Sequence, residues 1–495
     1  MQEFNFDVVL IGGGILSYTT AVSLLLKEPT IQIAIVTGQT REGMATTAAG
    51  AMLGCFGEVT KNLLQSDAGR VKHKMSIEAA SIWPMWLNQI NEATKRADPT
   101  HEEIHITPGT FVILNAKSGK LDDENFSAIL QSLNEHQEPY NMVEPADIPG
   151  LHPIPDCRPL KAIYLPNEGV IDPQHLLSSF EKIILSNKNC IIFNEDVVSL
   201  ETNSHLTQIK TNQGKVIQGN KYLIAAGAYS QNLINQASLG YLIPPIFAGL
   251  GVSLLVDQVT PPITNAIRTP NRAGACGLHA LPKTESLYLG ATNNLYLTPN
   301  NSPKLGHLTF LLQCAIEQIN QDLFSSKLLS YSAGNRPATF DTFPLIGKTS
   351  IENLWILSGT YRDGFFLSPI FAEIIASDML DQKPQTSINY SIFRPERIPI
   401  QTMTQEENIK DTVHQYMSGA YEHSMKLPRL GWDNLFEEML LTKIKNIYQK
   451  LETDIVIPAE VILMLEEEKD ISSLQKYVKN IARFANLEKK HQSVL

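Results

Sequence analysis

Val8-Val9-Leu10-Ile11 is an unbroken apolar run that stops at Gly12-Gly13-Gly14. From Ile15-Leu16-Ser17 to Leu26, apolar and small residues then recur at helical spacing, and residues 31–36 form a second apolar run. This order predicts strand, tight turn, helix and strand, the opening of a βαβ dinucleotide-binding unit. Gly12 can turn where a side chain would clash, and Gly14 lets the backbone approach a pyrophosphate. The helix start offers free N–H groups and the positive end of a dipole to phosphate oxygens. Two positions depart from the usual pattern. Ser17 stands where a third glycine is expected, and the second strand ends at Thr37 where an acid would hold a ribose hydroxyl.

Further along, residues 41–58 are rich in small residues and lack periodicity, which predicts a loop. Residues 71–95 read as a helix with Trp83, Trp86 and Leu87 on one side and Pro84 near a kink or start. Residues 104–115 read as strand, turn and strand, and 122–136 as a helix. A helix is expected from Gln174, a strand over 189–198, and a buried strand over 221–224 that closes on Ala225-Ala226-Gly227-Ala228. Strands are predicted at 251–256, 277–282 and 287–293. An amphipathic helix over 304–323 should bury Leu308, Leu312, Ile316 and Ile319. Near the end, Phe436, Leu440, Ile444, Ile447 and Leu451 lie at helical spacing, and Pro458 opens another helix. Asp470 caps a last one bearing Leu474, Tyr477, Val478, Ile481 and Phe484.

Length and composition narrow the functional classes. A chain of 495 residues with 43% hydrophobic content holds two or three domains. The net charge of −11 and the absence of a basic run speak against a nucleic-acid partner. Cys55, Cys157, Cys190, Cys276 and Cys314 have no C-x-x-C spacing, so neither a zinc site nor a disulfide framework is expected. No stretch approaches the ~20 apolar residues of a membrane span. No charged segment precedes an apolar leader, so the expected location is the cytoplasm.

The glycine turn and the loop containing Thr46, Thr47, Ala49, Gly50 and Met52 together resemble the flavin-binding start of the D-amino-acid oxidase family. The likeness is greatest to its glycine oxidase branch. A second stretch strengthens it: Gly334-Asn335-Arg336-Pro337-Ala338-Thr339-Phe340-Asp341, continuing through Pro344-Leu345-Ile346-Gly347 to Gly359-Thr360-Tyr361-Arg362-Asp363-Gly364-Phe365. It resembles the C-terminal flavin signature of the same branch, and the likeness spans roughly residues 5–397.

The resemblance implies an α/β architecture: a Rossmann-type FAD domain from residues 1–85, 155–240 and 334–397, and an antiparallel-sheet substrate domain from 86–154 and 241–333. Residues 398–495 are an added α-helical extension, which either covers the core or serves dimerisation or a protein partner. The cofactor implied is FAD. Its pyrophosphate would lie at Gly12, Gly13, Gly14, Ile15 and Leu16, with Thr37 and Val197 towards the adenosine. Ala226 and Gly227 would abut it, and Gly359, Arg362, Asp363, Gly364 and Phe365 would face the flavin edge.

The implied reaction is oxidation of a small amino acid or amine by hydride transfer to flavin. The acceptor is then oxygen, or a quinone or protein for a dehydrogenase of the same fold. A flavoprotein without catalysis, docked in an assembly, is the remaining alternative. Such chemistry needs orientation more than acid–base groups. In the family the arginine corresponding to Arg336 binds the substrate carboxylate, a role suited to a planar fork; the bland alternative is a structural ion pair. His279 stands where the family commonly has a tyrosine whose hydroxyl touches the carboxylate, and the resemblance implies that it donates the same hydrogen bond; a core histidine is the alternative. Arg362, Met52 and Asn293 map near the substrate cavity. Glu58 matches a family glutamate, or simply pairs with a nearby charge.

Overall fold

The computed structural model describes residues 3–492 except 203, 240–241, 275, 423–424, 426–430 and 469, with side chains as far as 484. The opening strand Glu3–Ile11 pairs in parallel with Ile33–Thr37 on one side and Val216–Ile224 on the other. Cys190–Asn194 extends this parallel sheet beyond Ile33–Thr37, and Leu354–Ser358 extends it beyond Val216–Ile224. Leu345–Lys348 closes that edge antiparallel. The ends of the central strands nearest the helix starts, residues 8–11, 33–36 and 222–224, are apolar and buried because both faces are covered. The helices Ile15–Lys27 and Ser368–Met379 pack against each other over the sheet, and both start at its carboxyl end.

A second sheet runs in the order Gly43–Met44, Leu328–Thr339, Ile246–Asp257, Ser286–Gly290, His279–Pro282, Ala266–Arg268, Thr107–Asn115, Pro159–Val170, Met52–Leu53. It is antiparallel except where Gly43–Met44 meets Leu328–Thr339 and where Ala266–Arg268 meets Thr107–Asn115. Pro159–Val170, placed by the sequence division in the 155–240 part of the FAD domain, hydrogen-bonds here with Thr107–Asn115. Tyr241, where that division resumes the substrate domain, lies outside the described residues.

Local expectations are corrected in physical detail. Residues 104–115 hold one strand, Thr107–Asn115, with a bulge in place of the turn; Gly109 has φ +88° and leaves room for the Tyr164 ring. The 189–198 strand divides into Cys190–Asn194 in the parallel sheet and Val197–Thr202 in an antiparallel ribbon. The strand expected to reach residue 293 ends at Gly290. Pro84 lies inside the unbroken helix Asp67–Ala97. Helix Leu305–Gln318 buries Leu311, Cys314 and Ala315, while Leu308, Leu312 and Ile316 are half-buried.

The extension contains four helices among the described residues: Gln405–Glu422, absent from the sequence reading, then Trp432–Leu451, Ala459–Glu467 and Ser472–Gln492. Ile409, Val413, Ile444, Ile462, Tyr477 and Val478 share one apolar cluster with Phe247, Leu295, Phe340 and Tyr361 of the core. Isolated helices are marginal in water, and this shared cluster is what fixes these.

Candidate functional site

Two helix starts face the carboxyl end of the parallel sheet, where a sheet of this topology binds ligands. Gly12 has φ +128°, and a Cβ there would overlap the Ala225 carbonyl oxygen, so glycine is required. Gly14 is the N-cap of Ile15–Lys27 and has no side chain to cap it. Thr46 Oγ1 accepts the Ile15 N–H at 3.1 Å. The hydroxyls of Ser17 and Ser368 are buried without a hydrogen-bond partner, one in the first turn of each helix. Backbone amides, two dipoles and two orphaned hydroxyls at one edge of the sheet fit a pyrophosphate-bearing dinucleotide.

Around this edge, Thr37 ends its strand against Gly13, where a Cβ would overlap its hydroxyl. Val197 begins its ribbon strand; Ala226 and Gly227 follow Val216–Ile224, and the Gly227 carbonyl accepts from Ser358 Oγ at 2.9 Å. Gly359 has φ +67°, and a Cβ on Gly364 would overlap the Thr360 hydroxyl. Two expected flavin neighbours also have partners within the protein. Asp363 ion-pairs with Lys72, and Phe365 stacks on Trp83 with ring centroids 6.0 Å apart in the core.

The other predicted residues converge on the second sheet. Arg336 lies opposite Gly249, and its guanidinium is laid over Gly251. Its Nη1 donates to the Thr292 carbonyl at 3.0 Å and to Asn293 Oδ1 at 3.4 Å. Asn293 Nδ2 donates to the Gly274 carbonyl at 2.8 Å and to the Tyr361 hydroxyl. The Arg362 guanidinium sits 5.3 Å from the Tyr361 ring centre. His279 is buried and stacks on Tyr288 at 5.8 Å. Its Nδ1–H donates to the Gly277 carbonyl at 2.9 Å, and its Nε2 faces Gly290 and Gly50. Burial holds His279 near 4, with Arg268 and Arg336 pressing the same way, so the ring is neutral at pH 7. Met52 pairs with Val170 and packs beside Tyr288. Thr47 Oγ1 turns to the Met44 carbonyl, and Ala49 caps the short helix Ala45–Ala48.

Four further residues surround these, none of them singled out individually by the sequence. Arg268 lies directly across the strand pair from His279, is buried, and pairs with Glu58. Burial raises the Glu58 carboxyl, but Arg268 and Arg362 outweigh it and hold the group down at about 2. Glu168 Oε1 accepts the Phe56 and Gly57 N–H groups at 2.7 and 2.9 Å, which fixes the turn before Glu58. The Tyr288 hydroxyl donates to the Ala48 carbonyl at 2.9 Å and ties the small-residue loop to the second sheet. Tyr361 sits between Arg362 and Asn293, and burial keeps its hydroxyl protonated. Of the four, Arg268 alone stands in register opposite a predicted residue, His279. Among the described residues no group of acidic, His and Cys side chains has metal-site geometry, and no helix is long and apolar enough to cross a membrane.

Comparison with known proteins agrees with this geometry. The chain matches the family described as FAD-dependent oxidoreductase (DAO) over residues 7–377. It is 24% identical over 415 residues to the bifunctional protein ThiO/ThiG of Trichormus variabilis, covering 82% of this chain and 58% of that protein. The chain thus spans little more than half the length of that relative. It is 21% identical over 382 residues to glycine oxidase of Pseudomonas putida, covering 76% of this chain and 95% of that enzyme. In fold it is similar to the crystal structure of glycine oxidase from Geobacillus kaustophilus, with a TM-score of 0.66 at 18% identity, covering 80% of this chain and 99% of that one. The glycine turn, the paired helix starts and the match across three quarters of its length make this chain a member of the DAO family of FAD-dependent oxidoreductases.

Proposed function

We propose that the protein oxidises the C–N bond of a small amino acid, glycine-like or a secondary amine such as sarcosine, to an imine that water then hydrolyses. Bound FAD supplies the hydride acceptor. The parallel-sheet region holds the cofactor, the second sheet the substrate, and oxygen is the acceptor that fits the glycine oxidase likeness. The five cysteines are free thiols, which suits a reducing, cytoplasmic setting.

The observation that carries this reading is Arg336. Its guanidinium is aimed by a carbonyl and an amide oxygen, and it is seated on a glycine that leaves its face clear. Glu58 is already neutralised by Arg268, so it does not compete for Arg336. A guanidinium so placed can bind both oxygens of a carboxylate and thereby orient the Cα–H. His279 is neutral and its Nδ1–H is taken by Gly277, so it offers Nε2 as an acceptor to the substrate side. This inverts the donor role expected of it from the family's tyrosine.

The test compares Arg336→Ala on an amino acid and on the amine that lacks its carboxylate. Loss of one charge-assisted contact, about 1.5–3 kcal/mol, predicts a fall of roughly tenfold or more in kcat/KM for the amino acid. The amine should be little affected and the flavin spectrum unchanged. Equal losses on both substrates would show that Arg336 is structural.

A further inference from the structure

Arg336 is joined to the C-terminal extension by an unbroken series of hydrogen bonds. Asn293 Oδ1 accepts from Arg336 Nη1 at 3.4 Å, and Asn293 Nδ2 donates to the Gly274 carbonyl at 2.8 Å. The Gly274 N–H donates in turn to Gln415 Oε1 at 3.1 Å, on helix Gln405–Glu422. The amide orientations are fixed by chemistry. A guanidinium only donates and a carbonyl only accepts, so Asn293 has one possible orientation. Gln415 likewise must turn its oxygen to the Gly274 N–H, because its Nε2 donates to Asp411 Oδ2 at 2.8 Å.

The far end of the series is anchored. Asp411 pairs with Lys61 at 3.1 Å and accepts from Asn62 Nδ2 at 3.1 Å. Lys61 also pairs with Glu124 at 2.8 Å, which ties the helix to the core at the same point. Gly274 is pressed from a second direction: Leu463, on helix Ala459–Glu467, lies against it closely enough that a Cβ would crowd the leucine. Gly274 has φ +57°, a conformation that a side chain would strain. Two helices of the extension therefore set where the Gly274 carbonyl stands, and that carbonyl sets Asn293.

We propose that Gln415 is a positioning residue for the substrate carboxylate, acting through Gly274 and Asn293 on Arg336. The proposal rests on the reading of Arg336 given above. The extension is then a working part of the substrate site, added to a fold whose family match ends at residue 377.

The experiment is a double-mutant cycle on the FAD-loaded full chain. Gln415→Met keeps the length of the side chain and removes the acceptor; Gln415→Asn, too short to reach Gly274, is the second variant. Either should raise KM for the amino acid and lower kcat/KM by about threefold to tenfold, the effect of a coupled neighbour. Flavin content and thermal midpoint should stay near wild type. In an Arg336→Ala background the same replacement should have no further effect. A loss that adds in full to that of Arg336→Ala, or no change in KM in either variant, overturns the relay while leaving Arg336 as the carboxylate residue. If Arg336→Ala itself fails to separate the amino acid from its decarboxylated amine, the functional reading falls, and the relay with it.

Discussion

At position 251 an added methyl would overlap the guanidinium of Arg336 across its whole width, so glycine decides where that charge stands. Gly251→Ala should leave the fold intact, because a flexible side chain can yield, and should lower kcat/KM for the amino acid roughly tenfold, as loss of the contact does. Steady-state kinetics beside an unchanged flavin spectrum would check it. His279 gives a pH signature. It titrates near 4 in the folded chain against 6.5 when exposed, chiefly because it is buried. Between these values the unfolded chain binds the extra proton, so this contribution is complete above pH 6.5 and lost as pH falls towards 4. The shift is worth up to about 3 kcal/mol. His279→Gln should flatten that part of the stability profile, read as denaturant midpoints from pH 4 to 8.

Among the elements, the long signature around residues 334–347 divides its labour. Arg336 faces the second sheet, whereas Asp341 turns inward and receives Arg397 through Nε at 3.0 Å and Nη2 at 2.9 Å. Thr339 Oγ1 and the Phe343 N–H also donate to Asp341, closing the turn in which Thr342 takes φ +62°. Both ions are buried, so Arg397→Ala should cost about 3–5 kcal/mol by stranding the carboxylate. Chemical denaturation measures that loss, and flavin binding at low temperature should survive it. The opening strand, glycine turn and helix were legible because local spacing encodes them. Arg268 and Tyr288 were not: the three-residue strand of Arg268 carries no periodicity, and both matter through partners far away in sequence, Glu58 and Ala48. Helix Gln405–Glu422 was not legible because its buried apolar positions are few, Ile409, Val413 and Met417, and polar contacts to Lys61 and Gly274 supply further ties to the core.

Over the whole molecule, the parallel sheet places helix starts and the second sheet places side chains, while the extension covers Tyr361, Phe340 and Leu295. Truncation after residue 397 uncovers that apolar surface. The shortened chain should lose solubility or self-associate, a change larger than any in its flavin spectrum; light scattering and gel filtration would register it. The shared cluster also has a consequence in time. Ribosomes deliver roughly 5–20 residues per second, so the final stretch emerges on the order of 5–20 s after residue 397. Through most of that interval Tyr361 and Phe340 have been made but lack later apolar partners such as Ile444, Ile462 and Tyr477. The nascent chain can fold its dinucleotide end early, yet it finishes the wall of its second sheet only once the helices beyond residue 397 have been made and dock.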